Sequence, residues 1–553
     1  MALAGTLAGS GCTGDTGPVG VKGDKGDPGA PGAQGSQGSQ GNSAPVPDTS
    51  DPAARLATRT AIKHVVILFG ENVSFDHYFA TYPDAQFPAT RSNPPSTGVD
   101  GTAFVALAGT PKPNGLKTPL DVNNNFMPLA TNLLAPNNPN SAQPFRLNPS
   151  QASTQDQNHA YGAEQAATNA GGMNLFPEKV GRGNPSFMSA PNDASLVMGY
   201  YDGNTVTALW SYAQHFAMND NSWTTQFGPS TPGALNLISG QTNGATVQTP
   251  GGSVVADGHG SFTVIGDPDP IGDVCSNPAI TQVQMSGKNI GDLLNAKNIT
   301  WGSFMGGFDL TVTNPNGSYG CLRITNPTQG PFTGASVDYI PHHAWFQYYA
   351  STANLQHLRP SSLAAIGSSK TVDGKAEPAN HNYDSHDFFE ALAAGNLPAV
   401  SFVKAPAFQD GHGGYSNPID EQTFIATTVN ALQASKFWAT TAVIIAYDDS
   451  DGWYDHQAPP IVNPSSLDAI GNPASVTDAV DQLNNDGTHS PASGTGACTT
   501  TTAQQGQAAA TTALPGAAGM PVLGRCGYGT RMPLLVISPF AKKNFIDHTL
   551  TDQ

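Results

Sequence analysis

Four short runs of apolar, largely β-branched residues constrain the fold of this 553-residue chain more than any other feature of its sequence. Between them lie segments with the spacing of amphipathic helices. Strands that consist almost entirely of apolar residues are typical of parallel sheets covered on both faces. The runs are HVVILF (64–69), AVSFV (399–403), TAVIIAY (441–447) and MPLLVI (532–537).

The alternation predicts one α/β domain over residues 56–553, built on a doubly wound, mostly parallel central sheet with helices on both faces. Helices are expected at 204–216, 386–394 and 421–435. Ser385 is expected to cap the second of these, and Gly395 to end it. Two Asn/Pro/Gly-rich stretches, 80–150 and 240–300, are predicted to be long decorating loops.

The N-terminal part has a different composition. Residues 13–55 hold a collagen-like repeat and a linker, with glycine at every third position from Gly11 to Gly41. The repeat favours either a triple helix, and thus a homotrimer, or a disordered spacer. Residues 1–12 resemble a bacterial leader that ends at a lipidated Cys12. A leader of small residues without a lipid is the alternative.

The other four cysteines are even in number and contain no C-x-x-C spacing, which argues against a zinc cluster. In an exported protein, neighbours in sequence are expected to pair, although three connectivities are open. Residues 463–525 are rich in Ser, Thr, Ala and Gly and are predicted to be a low-complexity surface insertion. The expected pairs are Cys275 with Cys321 and Cys498 with Cys526.

The chain carries 41 acidic residues against 23 basic ones, a formal net charge of −18. A field of this sign repels nucleic acid and anionic lipid before any specific contact forms. We therefore expect no nucleic-acid partner.

Acidic residues follow two of the predicted strands directly. Glu71 comes after the first strand, and Asp448 and Asp449 come after the third. Reactive groups in open α/β sheets collect beyond the carboxyl ends of the strands. Adjacent carboxylates also repel each other unless a cation or a proton lies between them. The positions favour a site for one hard divalent cation (Ca, Mg, Mn or Zn), with an ordinary turn or loop as the alternative.

Further polar residues lie in loop-like settings. Ser230 is in the tight turn FGPSTPG, which by composition alone is structural and is not a G-x-S-x-G elbow. Imidazoles suit the oxygens of a phosphate, although each one alone is typical of a surface residue. The histidines concerned are His159, His342, His343 and His412.

Six segments, in order from about residue 61 to residue 548, together resemble the bacterial phosphoesterase family that holds phospholipases C and respiratory-burst-inhibiting acid phosphatases. The segments are IKHVVILFGENVSFDHYFATYP, DQNHAYGAEQ, SYAQHFAMNDNSW with FGPSTPG, HHAWFQYYA, LPAVSFVKAPAFQDGHGGYS and AVIIAYDDSDGWYDH.

The resemblance implies an alkaline-phosphatase-like fold and a role for each matching residue. It makes Ser230 the nucleophile and Thr231 a substrate-binding neighbour and backup nucleophile. Other matching positions bind one divalent metal ion, contact the phosphoryl group or serve the leaving group. The implied metal ligands are Glu71, Asn72, Asp448 and Asp449, the catalytic histidines are His159, His343 and His412, and His342 binds substrate.

Two details favour the acid phosphatase branch of that family. Phospholipases C tend to have Thr and a Pro-Asn-Arg element at the nucleophile turn, and Asp-Glu at the last metal motif. Here the turn has Ser230, Thr231, Pro232 and Gly233, and the last metal motif has Asp448 and Asp449. An exported acid phosphatase that is periplasmic, outer-membrane-anchored or secreted is thus expected. Phospholipase C activity on phospholipids is one alternative, and a trimeric collagen-like surface binding protein without catalysis is another.

Overall fold

A computed structural model describes residues 51–85, 104–121, 125, 127–128, 132–182, 194–249, 251–256, 261–328, 334–460 and 528–553. Cys12, the glycine repeat, the predicted 463–525 insertion and the Cys498–Cys526 pair lie outside these residues. The described strands are, in chain order, β1 (His64–Gly70), β2 (Phe145–Leu147), β3 (Gly199–Tyr201), β4 (Ala217–Trp223), β5 (Ala245–Thr249), β6 (Val254–Ala256), β7 (Phe262–Val264), β8 (Asp269–Pro270), β9 (Gln282–Met285), β10 (Trp301–Met305), β11 (Asn382–Asp384), β12 (Val400–Lys404), β13 (Thr441–Tyr447), β14 (Arg531–Ile537), β15 (Phe545–Asp547) and β16 (Thr551–Asp552).

The α-helices of the described residues include the three predicted ones, with shifted ends. The second predicted helix begins differently from expectation, because Asp384 rather than Ser385 is its N-cap and accepts a hydrogen bond from the His386 N–H. Gly395 ends that helix in the left-handed conformation, as predicted. The helices are α1 (Phe75–Phe79), α2 (Tyr161–Thr168), α3 (Phe176–Lys179), α4 (Thr207–His215), α5 (Ser230–Ser239), α6 (Ile290–Ala296), α7 (Ser385–Ala394) and α8 (Pro418–Ala434).

The central sheet has nine strands in the order β11-β10-β12-β1-β13-β14-β4-β15, with β16 also paired to β4. Every strand except β14 runs in the same direction, and β14 is antiparallel to both of its neighbours. The prediction of a mostly parallel α/β sheet is therefore confirmed. The four runs recognised in the sequence form β1, β12, β13 and β14.

Both faces of this sheet are covered. Val66 and Leu68 of β1 belong to a core shared with α4, α7 and α8. Ile67 and Phe69 of the same strand belong to a second core, which includes Leu235 of α5. Since successive strand residues point to opposite faces, the apolar run of β1 serves two cores at once.

The stretch 240–300 was predicted to be a loop, and this prediction is wrong. It contains a second sheet with the order β6-β7-β5-β9-β8, followed by α6. Its apolar residues Ala245, Val264, Val283 and Met285 are buried in the second core. Tertiary packing thus overrides the high Asn, Pro and Gly content of this stretch.

The disulfide Cys275–Cys321 is present, which confirms that predicted pair. It joins the connection between β8 and β9 of the second sheet to the segment after β10. Among the described residues, no helix has the length and apolar character needed to cross a membrane.

A fully buried arginine joins β14 to the loops at the end of the sheet. Arg531 Nη2 lies 3.3 Å from Asp76 Oδ1 and 3.1 Å from Asp455 Oδ2. Its Nη1 donates to the carbonyl oxygens of Asn114 and Asp220, and its guanidinium stacks over the ring of Phe75. The ion pairs are buried, so loss of the cation would leave Asp455 without this partner, while Asp76 would keep its contact with His456.

We expect Arg531→Met to lower the free energy of unfolding by about 3–5 kcal/mol, the usual cost of removing one partner from a buried ion pair. Urea unfolding followed by circular dichroism measures this change. Lys375→Met is the control, because Lys375 pairs with Asp373 on the surface. We expect it to change the unfolding free energy by less than about 1 kcal/mol. Equal effects of the two substitutions would contradict the role of the Arg531 ion pairs in stability.

Candidate active site

The predicted acidic residues meet at one edge of the central sheet. β1 and β13 are parallel neighbours, and Gly70 lies beside Tyr447 at their carboxyl ends. The next residues, Glu71 and Asp448, are therefore placed side by side. Both are buried, as is Asp449. One oxygen of each of these three carboxylates lies within 4.8 Å of the other two.

Ser230 is the first residue of α5 and lies against this group of carboxylates. Its hydroxyl donates to Glu71 Oε2 at 3.0 Å and approaches Asp449 Oδ2 at 3.2 Å. Ser230 is itself buried. A hydroxyl group is thus held beside the candidate cation site, at the positive end of a ten-residue helix.

The helix reaches the carboxylates because Gly233 has no side chain. A Cβ at this position would lie 2.1 Å from the carbonyl oxygen of Asp448. The backbone of α5 therefore packs directly on the loop that follows β13. Any larger residue would push Ser230 away from Asp449.

His412 determines how the amide of Asn72 is oriented. His412 Nδ1 lies against the carbonyl oxygen of Gly413, which can only accept, so Nδ1 carries the proton. Burial lowers the pKa of His412 to about 4, which keeps the ring neutral. Its Nε2 is then an acceptor, 2.9 Å from the Asn72 amide. The amide nitrogen of Asn72 must face His412, and its oxygen must face the opposite way.

This orientation directs the Asn72 oxygen at the carboxylates. That amide atom lies 2.6 Å from Glu71 Oε2 and 3.1 Å from Asp448 Oδ1 and Asp449 Oδ2. The reverse orientation would make Nδ1 of His412 and the Gly413 carbonyl two facing acceptors. Four oxygens that converge in this way repel one another unless a cation lies among them. The donor set fits a hard divalent ion.

Electrostatics support the same conclusion. Burial, and then the charge of Asp448, raises the pKa of Glu71 well above its usual value. Burial also raises the pKa of Asp449, with Asp448 adding to the effect. One oxygen of Asp448, Oδ2, is buried and has no hydrogen-bond partner. A bound cation would compensate all three carboxylates.

Lys404 and His343 both contact Oε1 of Glu71, the carboxylate oxygen that does not accept from Ser230. Lys404, the last residue of β12, forms a buried ion pair with Glu71 Oε1. His343 Nδ1 lies 3.0 Å from the same oxygen. Burial, together with the nearby His342 and Lys404, holds the pKa of His343 well below its usual value. His343 is therefore a neutral donor.

His159 differs from His343 and His412 in its surroundings. Its Nδ1 lies 3.0 Å from Asp451 Oδ1 and 3.2 Å from Asp156 Oδ1. Burial opposes the charged ring, but Asp449, Asp156 and Asp451 outweigh burial and raise the pKa of His159 well above its usual value. The surroundings thus favour the charged form of His159 and the neutral forms of His343 and His412.

Thr231 and His342 contact Asp267 and Asp269, a different pair of carboxylates from those that Ser230 contacts. The Thr231 hydroxyl donates to the carbonyl oxygen of His342, and the Thr231 N–H donates to Asp267. Burial opposes the charged form of His342, but Asp267 and Asp269 raise its pKa. The structure therefore does not bring the Thr231 hydroxyl to the position that Ser230 occupies.

Sequence reasoning did not single out several residues that contact the site. Lys404 directly follows the predicted strand 399–403, so the rule that identified Glu71 and Asp448 applied to it as well. Asp451 lies two residues beyond Asp449, and Glu164 lies in the same segment as His159. Glu164 accepts from the Gly228 N–H and from the Ser450 hydroxyl, and so links the serine turn to the loop after β13.

We expect Gly233→Ala to weaken divalent-metal binding by about 10- to 100-fold, because the added Cβ would displace α5 from the Asp448 loop. Calorimetric titration with Mn²⁺ measures the change, with circular dichroism to verify folding. Gly252→Ala is the matched control, since nothing lies within 4 Å of a Cβ at that position. An unchanged metal affinity in Gly233→Ala would show that metal binding does not need the close packing of α5 on the Asp448 loop.

Known proteins resemble this chain along most of its length. Non-hemolytic phospholipase C of Pseudomonas aeruginosa is 24% identical over 498 residues, which are 89% of this chain and 52% of that protein. Phospholipase C B of Mycobacterium tuberculosis is 21% identical over 509 residues, which are 89% of this chain and 71% of that protein. The chain spans about half the length of the first of these relatives. The sequence model of the Phosphoesterase family matches residues 62–553, and the chain therefore belongs to that family.

Proposed function

We propose that this protein is a metal-dependent acid phosphatase that hydrolyses phosphate monoesters through a phosphoserine on Ser230. One observation carries the proposal. Ser230 is the first residue of α5. Its hydroxyl lies 3.0 Å from Glu71 Oε2 and 3.2 Å from Asp449 Oδ2, within the candidate cation site. A serine is a weak nucleophile unless a base takes its proton or a cation stabilises the alkoxide, and the carboxylates at this position would do the first and hold a cation for the second.

Each residue of the site would have a separate role in the reaction. Ser230 Oγ attacks phosphorus, its proton passes toward Glu71 or Asp449, and the bond from phosphorus to the leaving oxygen breaks. When bound, a divalent ion held by Glu71, Asn72, Asp448 and Asp449 supplies positive charge that favours the serine alkoxide. His343 and His412 would position two of these ligands, because His343 donates to Glu71 and His412 accepts from the Asn72 amide.

His159 is the best candidate for the general acid. Asp451 and Asp156 hold its Nδ1, which leaves Nε2 for the substrate. The imidazolium protonates the leaving alcohol, and the neutral ring then accepts a proton from the water that hydrolyses the phosphoserine. Thr231 and His342 would act in substrate binding and not in the chemical step.

Phospholipase C activity is the second candidate, and the names of the relatives favour it. Against it stand the serine at the nucleophile turn and the Asp448-Asp449 pair, which match the acid phosphatase branch. We extend the proposal to an alkaline-phosphatase-like fold and to export from the cell. The disulfide Cys275–Cys321 supports export, because such bonds persist in oxidising compartments.

We expect the protein to hydrolyse p-nitrophenyl phosphate at acidic pH and to lose this activity with EDTA. Ser230→Ala should lower kcat by about 10³-fold or more, because the covalent route is removed. The measurement is release of p-nitrophenol by folded protein whose metal content is known. An active Ser230→Ala protein would rule out the phosphoserine, and a folded, metal-loaded protein without any esterase activity would favour the binding-protein alternative.

Thr231→Val is the matched control for that variant. The Thr231 hydroxyl faces the His342 carbonyl, so we expect kcat to stay within a few-fold of the original value.

Phosphatidylcholine in mixed micelles separates the two candidate activities. Release of phosphocholine faster than hydrolysis of every monoester tested would replace the phosphatase assignment with phospholipase C.

The proposed acid gives the rate a defined dependence on pH. Because His159 must be protonated, the rate should fall as pH rises through its raised pKa. Asp451→Asn removes one carboxylate that raises this pKa, so the fall should begin at a lower pH. The test is the pH profile of kcat. Asp373→Asn, at an exposed carboxylate, should leave the profile unchanged, and an unshifted profile in Asp451→Asn would argue against His159.

A further inference from the structure

The two oxygens of Glu71 face two different sides of the site. Oε2 accepts from Ser230 on the side of the candidate cation site. Oε1 faces away from it and contacts Lys404 Nζ and His343 Nδ1. A carboxylate with this placement is the kind of ligand that bridges two metal ions about 3.5–4 Å apart. In this chain an ammonium group lies where the second ion would be.

The surroundings of the ammonium contain further metal-ligating groups. Glu71, His343 and Asp410 each offer an atom within 4.8 Å of the others. Asp448 Oδ2, buried and without a hydrogen bond, lies 3.9 Å from Lys404 Nζ. These carboxylate and imidazole groups are a suitable ligand set for a divalent transition metal. Lys404 fills the space among them.

Lys404 is fixed in this position. It ends β12 in the middle of the sheet, and only 2% of its side chain is exposed. Its Nζ lies 5.7 Å and 5.9 Å from the ring centroids of Phe69 and Trp345. Apolar walls and buried carboxylates leave the ammonium no route to water. A divalent ion at the same place would have to overcome repulsion at short range in a medium of low dielectric constant.

We propose that the Lys404 ammonium is a built-in second cation, which takes the place of a second metal ion and limits this site to one divalent ion. The inference rests on the proposed function for the ion beside Ser230. It adds that one side chain sets the number of ions. Replacement of Lys404 by a neutral residue should open a two-metal site bridged by Glu71.

The test is the metal content of the full chain after dialysis against Mn²⁺ and removal of free ion, measured by inductively coupled plasma mass spectrometry. We expect one ion per chain in the unaltered protein, one in Lys404→Arg and two in Lys404→Met. Two ions in the unaltered protein, or one in a folded Lys404→Met, would overturn the inference. An unaltered protein without any ion would instead remove the proposed function.

A second variant locates the extra ion. Lys404→Met combined with Asp410→Asn should return the content to one, because Asp410 is a ligand only of the second position. Two ions in this double variant would place the extra ion elsewhere and contradict the proposal. Circular dichroism checks folding, and Lys404→Gln, which keeps a polar end group, is measured in parallel. If neither neutral variant folds, titration of the unaltered protein with Mn²⁺ decides, since a second tight ion refutes the role of Lys404.

Discussion

Burial of negative charge at the carboxyl ends of β1 and β13 is the constraint on which the rest of this structure depends. Glu71, Asp448 and Asp449 lie out of water and within a few ångströms of one another. Such a group is unstable alone, because burial and mutual repulsion both oppose ionisation. Neighbouring residues compensate part of this negative charge. Lys404 supplies a cation, and Ser230 supplies a hydrogen-bond donor. The same constraint that shapes the site therefore prepares it for a divalent ion.

The central sheet and its helices determine where the side chains of the site lie. Parallel strands bring their carboxyl ends to one edge of the sheet, which places residues distant in sequence side by side. Gly233 then allows α5 to pack on the Asp448 backbone, and Glu164 ties the serine turn to the same loop. Because these supports are on regular elements, the separation of Ser230 and Asp449 is fixed by the packing of the core.

Three histidines in one site show how the surroundings divide a single residue type into two roles. His343 and His412 lie in buried positions that lower the pKa of each ring, so both are neutral. His159 lies between Asp451 and Asp156, and their charges outweigh burial. Within one site, the pKa of one imidazole is thus raised and the pKa values of two others are lowered, so the charged form is favoured only for the first of these three rings.

The sequence by itself determined the strands, the parallel sheet and the edge at which the acids lie, because these follow from apolar runs and from the residues directly after them. It also predicted the Cys275–Cys321 pair, with three connectivities open, and the set of candidate site residues. It misplaced the cap of α7 at Ser385, and it predicted loops where the second sheet lies, since short strands rich in polar residues gain their stability only from long-range packing. Only the tertiary structure decided that Ser230 rather than Thr231 faces the carboxylates, that Lys404 joins them, and that the pKa of His159 is raised while those of His343 and His412 are lowered. These outcomes depend on distances of 3–4 Å between residues far apart in the chain, where burial and charge act together and no local pattern records them.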